Sequence, residues 1–145
     1  MYKRILLAYD GSEAGSQALL ECKDIAQWSH ATLWLIAVMP PVTRVVGVEG
    51  GIFTPELAEH DTAKFEHILA DGLRQLASTG FKARGELLTG ETVHEVSNFA
   101  RRVEADLIVV GHKHLDSWAA RWWRGATSGA LIEHAPCSVL CVISE

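Results

Sequence analysis

The sequence predicts one α/β domain spanning residues 1–145, with a five-stranded, mostly parallel sheet and helices on both faces. Three observations carry this reading. Apolar runs of strand length alternate along the chain with stretches of helical period, the pattern of repeated βα units. Two of those runs, near residues 3–9 and 32–38, are almost wholly apolar, as strands covered on both faces must be. Finally, 145 residues with 48% hydrophobic and 21% charged side chains suit a single buried core.

Strand 1 is read as Lys3–Tyr9. Ser12 is a good N-cap for helix 1, whose Ala14, Ala18, Leu19, Cys22, Ile25 and Ala26 recur at helical spacing. Strand 2 covers Thr32–Val38 and stops before Pro40-Pro41, since proline cannot continue a hydrogen-bonded ladder. Residues 40–54 hold Gly47, Gly50 and Gly51 without a clear period and are read as a loop of the length that often serves function. Thr54-Pro55 then supplies an N-cap with proline at the first helical position. Helix 2 runs to about Ala77 with Leu57, Phe65, Ile68, Leu69, Leu73 and Leu76 on its buried stripe, and its acidic residues form a solvated face.

Strand 3, Lys82–Leu88, interleaves Lys82, Arg84 and Glu86 with smaller residues, which suits a sheet edge. Helix 3 opens with Thr92 and Glu95 in capping-box spacing and buries Val93, Val96, Phe99, Ala100 and Val103. Strand 4 is Asp106–Val110, short, apolar and central, with Gly111 ending it. A polar loop covers His112–Arg124, a last helix begins within residues 125–128, and strand 5 is Ser138–Ile143.

Composition narrows the function. Thirteen Lys and Arg against eighteen Asp and Glu give a formal charge of −5, which disfavours nucleic acid as a partner. The most apolar run, Leu33–Val38, is far shorter than the roughly 20 residues of a membrane-spanning helix. Asp10 interrupts the first apolar run before a signal-peptide core of about 7–15 residues can form, so a cytoplasmic protein is expected. Three cysteines without a Cys-x-x-Cys pair are read as reduced thiols.

Right-handed crossovers put ligands beyond the carboxyl ends of the central strands, where the winding reverses. The loops there start at Asp10 and Gly111. Small residues opening the last helix, Gly125-Ala126-Thr127-Ser128, expose backbone N–H groups that suit a phosphate, with Lys113, Arg121 or Arg124 able to add charge. An ordinary helix cap with solvated basic residues accounts for the segment equally well. Asp10 can meet a ribose hydroxyl or a metal-bound phosphate, or simply form the turn into helix 1. Neither a phosphate-binding Gly-x-x-x-x-Gly-Lys-Ser/Thr loop nor a Gly-x-Gly-x-x-Gly dinucleotide turn occurs. The clustered acids of a phosphate-accepting receiver domain are likewise missing.

Over nearly its full length the chain resembles the universal stress protein family. The resemblance rests on Ile5-Leu6-Leu7-Ala8-Tyr9-Asp10-Gly11-Ser12, on Asp106-Leu107-Ile108-Val109-Val110-Gly111, and on His134-Ala135-Pro136-Cys137-Ser138-Val139-Leu140. It implies a doubly wound sheet of order 3-2-1-4-5, a homodimer formed through strand 5 and, in one subclass, an adenine nucleotide. The ligand so implied is ATP or AMP, with or without magnesium. Val38 would offer backbone groups to the adenine, Asp10 would meet the ribose, and Gly125, Ala126, Thr127 and Ser128 would meet the phosphates, with Ala8, Tyr9, Gly111, His112 and His114 among the binding residues. That subclass carries Gly-x-x-Gly, nine residues, then Gly-Ser/Thr. Here His114 stands at the second glycine, ten residues separate it from Gly125, and Ala126 replaces the hydroxyl residue. Such changes add a Cβ where backbone should approach phosphate and remove a side-chain donor.

Other groupings are read plainly. His112 and His114 have metal-like spacing but no third ligand in the motif, so no metal site is assigned. Cys137 and Cys141, four apart on a strand, share one packed face. Trp118, Trp122 and Trp123 cover a base, anchor a partner chain or pack on the sheet. No nucleophile elbow or marked carboxylate pair is found, so no catalytic residue is assigned. Slow ATP hydrolysis needs only a positioned phosphate, a metal and a water. Two functions follow: a stress-response regulator binding an adenine nucleotide at the ends of strands 1 and 4 and acting on a partner protein, or a nucleotide-free dimeric interaction module of the same fold.

Overall fold

In the computed structural model, residues 1–41, 55–113 and 128–144 are described, with the backbone alone at 55–60, 113 and 128. Their order is β1 (Arg4–Ala8), α1 (Glu13–Ser29), β2 (Thr32–Met39), α2 (Pro55–Ser78), β3 (Arg84–Thr89), α3 (Thr92–Arg102), β4 (Leu107–Lys113), α4 (Ser128–His134) and β5 (Ser138–Ser144). The five strands form one sheet of order β3-β2-β1-β4-β5, and every neighbouring pair is parallel.

Strand alternation divides the core into two layers. Ile5, Leu7, Leu33, Leu35, Leu107 and Val109 face α1 and α2, where they meet Ala18, Leu19, Cys22, Ala26 and Leu76. Leu6, Ile36, Ile108 and Val110 face α3 and α4, against Val96, Phe99, Ala100 and Leu131. The first two crossovers step outward from β1 to β3 and place α1 and α2 on one face. The next two step toward β5 and place α3 and α4 on the other, as crossovers of a single hand require.

Local chemistry sets the ends of the elements. Ser12 caps α1, its Oγ accepting the Gly15 N–H at 3.0 Å. His30, at φ 56°, closes α1 with its N–H on the carbonyls of Ala26 and Gln27. Asp106, just before β4, accepts the N–H groups of Lys3 and Arg4 at 2.8 and 3.0 Å. It thereby aligns the starts of β4 and β1.

Two expectations are corrected. β4 does not stop at Gly111: it continues through His112 and Lys113, paired with Ile143 and Ser144 of β5. Gly111 is not among the positive-φ residues, so it stays extended while the adjacent strand supplies partners. The cap of α3 is Glu91 rather than Thr92; its two carboxylate oxygens accept the N–H groups of Val93 and His94 at 3.0 and 2.9 Å. A carboxylate one residue earlier satisfies two orphan amides at once and leaves Thr92 as the first helical residue.

Candidate functional site

At the carboxyl ends of the central strands lies a crevice of about 180 Å³. Its floor follows from register. Ala8, the last residue of β1, pairs with Ile36 on one side and Val110 on the other. All three face the α3 and α4 layer, as does Val38, two residues beyond Ile36. Together they make an apolar surface across three strands, walled by Thr92 at the start of α3 and rimmed by Asp10 and Gly111.

Polar groups gather at this rim. Ile36 gives its carbonyl to the Tyr9 N–H at 2.8 Å, so the β1 side of β2 carries the polar groups of its even-numbered residues. The N–H and C=O of Val38 therefore point to the side where β1 has already ended. Asp10 is exposed, and its Oδ1 accepts both the N–H of Ser12 at 2.9 Å and the Ser12 hydroxyl at 2.5 Å. Its Oδ2 has no partner among the described residues. The turn thus orients the carboxylate and leaves one oxygen at the rim.

The sequence-derived residues separate into groups. Ala8, Tyr9, Asp10, Val38 and Gly111 line the crevice. Tyr9 does so by its backbone end, because its ring is buried between α1 and α2 and its hydroxyl lies 3.3 Å from both Ser16 Oγ and Gln75 Nε2. His112 continues β4 beside Ile143. Ser128 begins α4, with only its backbone described. His114, Gly125, Ala126 and Thr127 lie outside the described residues, as do Arg121, Arg124 and the three tryptophans of that stretch.

Gly111 has a structural role of its own. A Cβ there would fall 2.3 Å from the carbonyl oxygen of Ala14 and 2.8 Å from the Gly15 nitrogen. Glycine is what lets the first turn of α1 close on β4. Sequence reasoning missed Ile36, Val110 and Thr92. The first two were read as core, although alignment with Ala8 across the sheet was the signal for them; Thr92 was assigned to capping.

A larger depression of about 660 Å³ lies at the last turn of α1, beside Trp28 and His30. It opens at the amino end of the sheet and lacks the converging backbone groups of the crevice, so topology and chemistry both favour the smaller space.

The model of the universal stress protein family matches residues 1–142. A universal stress protein of Thermus aquaticus is 32% identical over 143 residues, covering 98% of this chain and 99% of the relative. The chain belongs to the universal stress protein family. The solved structure of the protein MJ0577 superposes with a TM-score of 0.80 at 24% identity, covering 100% of this chain and 98% of that one. An Archaeoglobus fulgidus universal stress protein in complex with dAMP gives 0.71 at 20% identity, covering 97% and 98%. A family member from Arabidopsis thaliana with AMP bound gives 0.72 at 18% identity, covering 99% and 92%. At these identities the structural likeness carries the fold.

Cys22 is fully buried in the α1 stripe, and burial pushes its thiol up to about 12. Cys137 and Cys141 both pack on the α3 and α4 layer, as expected, but Cys141 alone lies on the strand, since β5 begins at Ser138 and Cys137 precedes it. Burial first, and the Asp106 charge second, raise the Cys137 thiol. Among the described residues no helix is long and apolar enough to cross a membrane.

Proposed function

We propose that this universal stress protein is a cytoplasmic stress-response regulator that binds an adenine nucleotide, ATP or AMP, at the carboxyl ends of β1 and β4. The observation that carries the reading is the crevice itself: an apolar floor of Ala8, Ile36, Val38 and Val110 beside an Asp10 carboxylate with one oxygen unpartnered among the described residues. A flat base rests on the apolar floor, the Val38 backbone meets its edge, and Asp10 Oδ2 accepts from a ribose hydroxyl. In this reading the phosphates follow Gly125-Ala126-Thr127-Ser128, of which Ser128 alone is described, as the first residue of α4. The dAMP and AMP bound by the two related structures support an adenine ligand here. The described crevice is smaller than the roughly 300–1,000 Å³ of small-molecule pockets, which fits a floor for the nucleoside end rather than a complete enclosure.

Asp10→Asn is the direct test. Asparagine keeps an oxygen for Ser12 and so preserves the turn, while the charge offered to the ribose is lost. AMP affinity, measured by calorimetry on nucleotide-free protein, should fall roughly tenfold or more, because the Nδ2 that replaces Oδ2 donates and cannot accept from the ribose hydroxyl. Running the same titration with ATP, with and without magnesium, sets the phosphate preference. If wild-type protein takes up none of these ligands, the nucleotide reading is wrong and the interaction-module reading stands.

The same reading seats a second copy against β5. Among the described residues that strand pairs only with β4, its Val139, Leu140, Cys141 and Val142 are half-buried, and Ile143 is 57% exposed. An edge of this kind is a template for pairing across a two-fold axis.

A further inference from the structure

We infer that the cleft between α3 and α4 is a second ligand site, one that takes a small oxyanion, a carboxylate or a phosphoryl group. The cleft encloses about 290 Å³ and is lined by Glu91, Val93, His94, Ser97, Arg101 and His134. It is separate from the nucleotide crevice: Thr92 lines the crevice, while its neighbours Glu91 and Val93 line the cleft. Nothing in this inference rests on nucleotide binding.

Ser97 is 3% exposed, and its hydroxyl is the one buried side-chain polar atom without a hydrogen-bond partner among the described residues. A buried hydroxyl left without a partner is destabilising, so its place in the wall of a polar cleft calls for one. The groups around it are mostly donors. Arg101 gives Nη1 to Asn98 Oδ1 at 3.1 Å and Nη2 to the His134 carbonyl at 3.2 Å, leaving three of its five N–H groups. With Asn98 Oδ1 so engaged, its Nδ2 faces His94 Nε2 at 2.9 Å. An amide NH₂ can only donate, so Nε2 is the acceptor of this contact.

Among the described residues Glu91 is the one carboxylate of the lining. Both of its oxygens are occupied by the amides of Val93 and His94. Among the described residues the cleft offers a ligand one guanidinium, one unpartnered hydroxyl and two imidazoles, with the Glu91 carboxylate turned to the two amides of the α3 cap. That set pairs with an oxyanion and mismatches a cation.

Amide-resolved NMR titration of the full chain with inorganic phosphate, and separately with acetate, tests the site. Saturable shifts at Val93, His94, Ser97 and Arg101 are expected, with Tyr9 and Gly111 unmoved. Shifts with phosphate alone assign a phosphoryl ligand; shifts with both assign a general oxyanion site. Ser97→Ala deletes the orphan, so it should leave melting temperature equal or higher while weakening the anion about tenfold. Arg101→Gln should weaken it by at least as much. Absence of saturable shifts, shifts confined to Tyr9 and Gly111, or unaltered affinity in Ser97→Ala would each overturn the inference.

Discussion

Gly111→Ala tests how the central strand meets the first helix. The added Cβ would lie 2.3 Å from the Ala14 carbonyl oxygen, 2.5 Å from its carbon and 2.8 Å from the Gly15 nitrogen. All three are backbone atoms of a buried turn, so no side-chain rotation relieves the overlap. Carbon and oxygen need about 3.3 Å even in a close C–H···O contact, so the start of α1 must retreat by about 1 Å. Overpacking typically costs about 1–3 kcal/mol, and a clash with backbone belongs at the upper end. In a domain of about 150 residues, about 3 kcal/mol lowers Tm by roughly 6–12 °C. Urea unfolding followed by circular dichroism measures the loss as a lower midpoint at unchanged slope. Gly129 supplies the control. It lies within α4, and among the described residues a Cβ there would meet nothing within 4 Å, so Gly129→Ala should stabilise by about 0.4–1 kcal/mol. A Gly111→Ala midpoint within error of wild type would refute the packing assigned to this glycine.

Three further outcomes are expected. Glu91→Ala should cost about 1 kcal/mol of stability by uncapping α3, whereas Thr92→Val should leave stability nearly unchanged and weaken AMP several-fold; calorimetry and melting curves separate the two. Cys22 stays protonated when folded up to about pH 12, while the unfolded thiol ionises from its ordinary value of 9.0. Its contribution is therefore whole below pH 9 and is lost as pH rises toward 12, at up to about 1.4 kcal/mol per pH unit; the slope should vanish in Cys22→Ala, read as the difference between the two proteins' unfolding curves. Ile143→Glu places a charge on the exposed end of β5 and should shift a dimer to monomer in light scattering with little change in monomer Tm.

The fold was legible because its signals are redundant. In β1, for instance, a continuous apolar run means cover on both faces, and the structure divides it so that Ile5 and Leu7 face α1 and α2 while Leu6 faces α3 and α4. Boundaries were less legible where partners decide them. Glycine after an apolar strand reads as a stop, yet β4 continues because β5 runs beside it to Ser144. At α3, Thr92 and Glu95 present the spacing of a capping box, and the cap is nevertheless Glu91, whose longer side chain folds back on two amides. Composition alone does not choose between a hydroxyl and a carboxylate one residue apart.

For the site, sequence found the rim and missed part of the floor. Asp10 and Gly111 stand at strand ends that topology brings together, whereas Ile36 and Val110 are set only by their register with Ala8. The two most conspicuous matches to the family also have roles that need no ligand. Gly111 admits the turn of α1, and Asp10 Oδ1 holds Ser12. Their presence is therefore explained by folding whether or not a nucleotide binds. Groups without such a role carry the functional information: Asp10 Oδ2, the Val38 backbone beyond the end of β1, and Thr92 at the crevice wall. Substitutions that spare the first set and alter the second, such as Asp10→Asn and Thr92→Val, are the ones whose effects on ligand affinity separate from effects on stability.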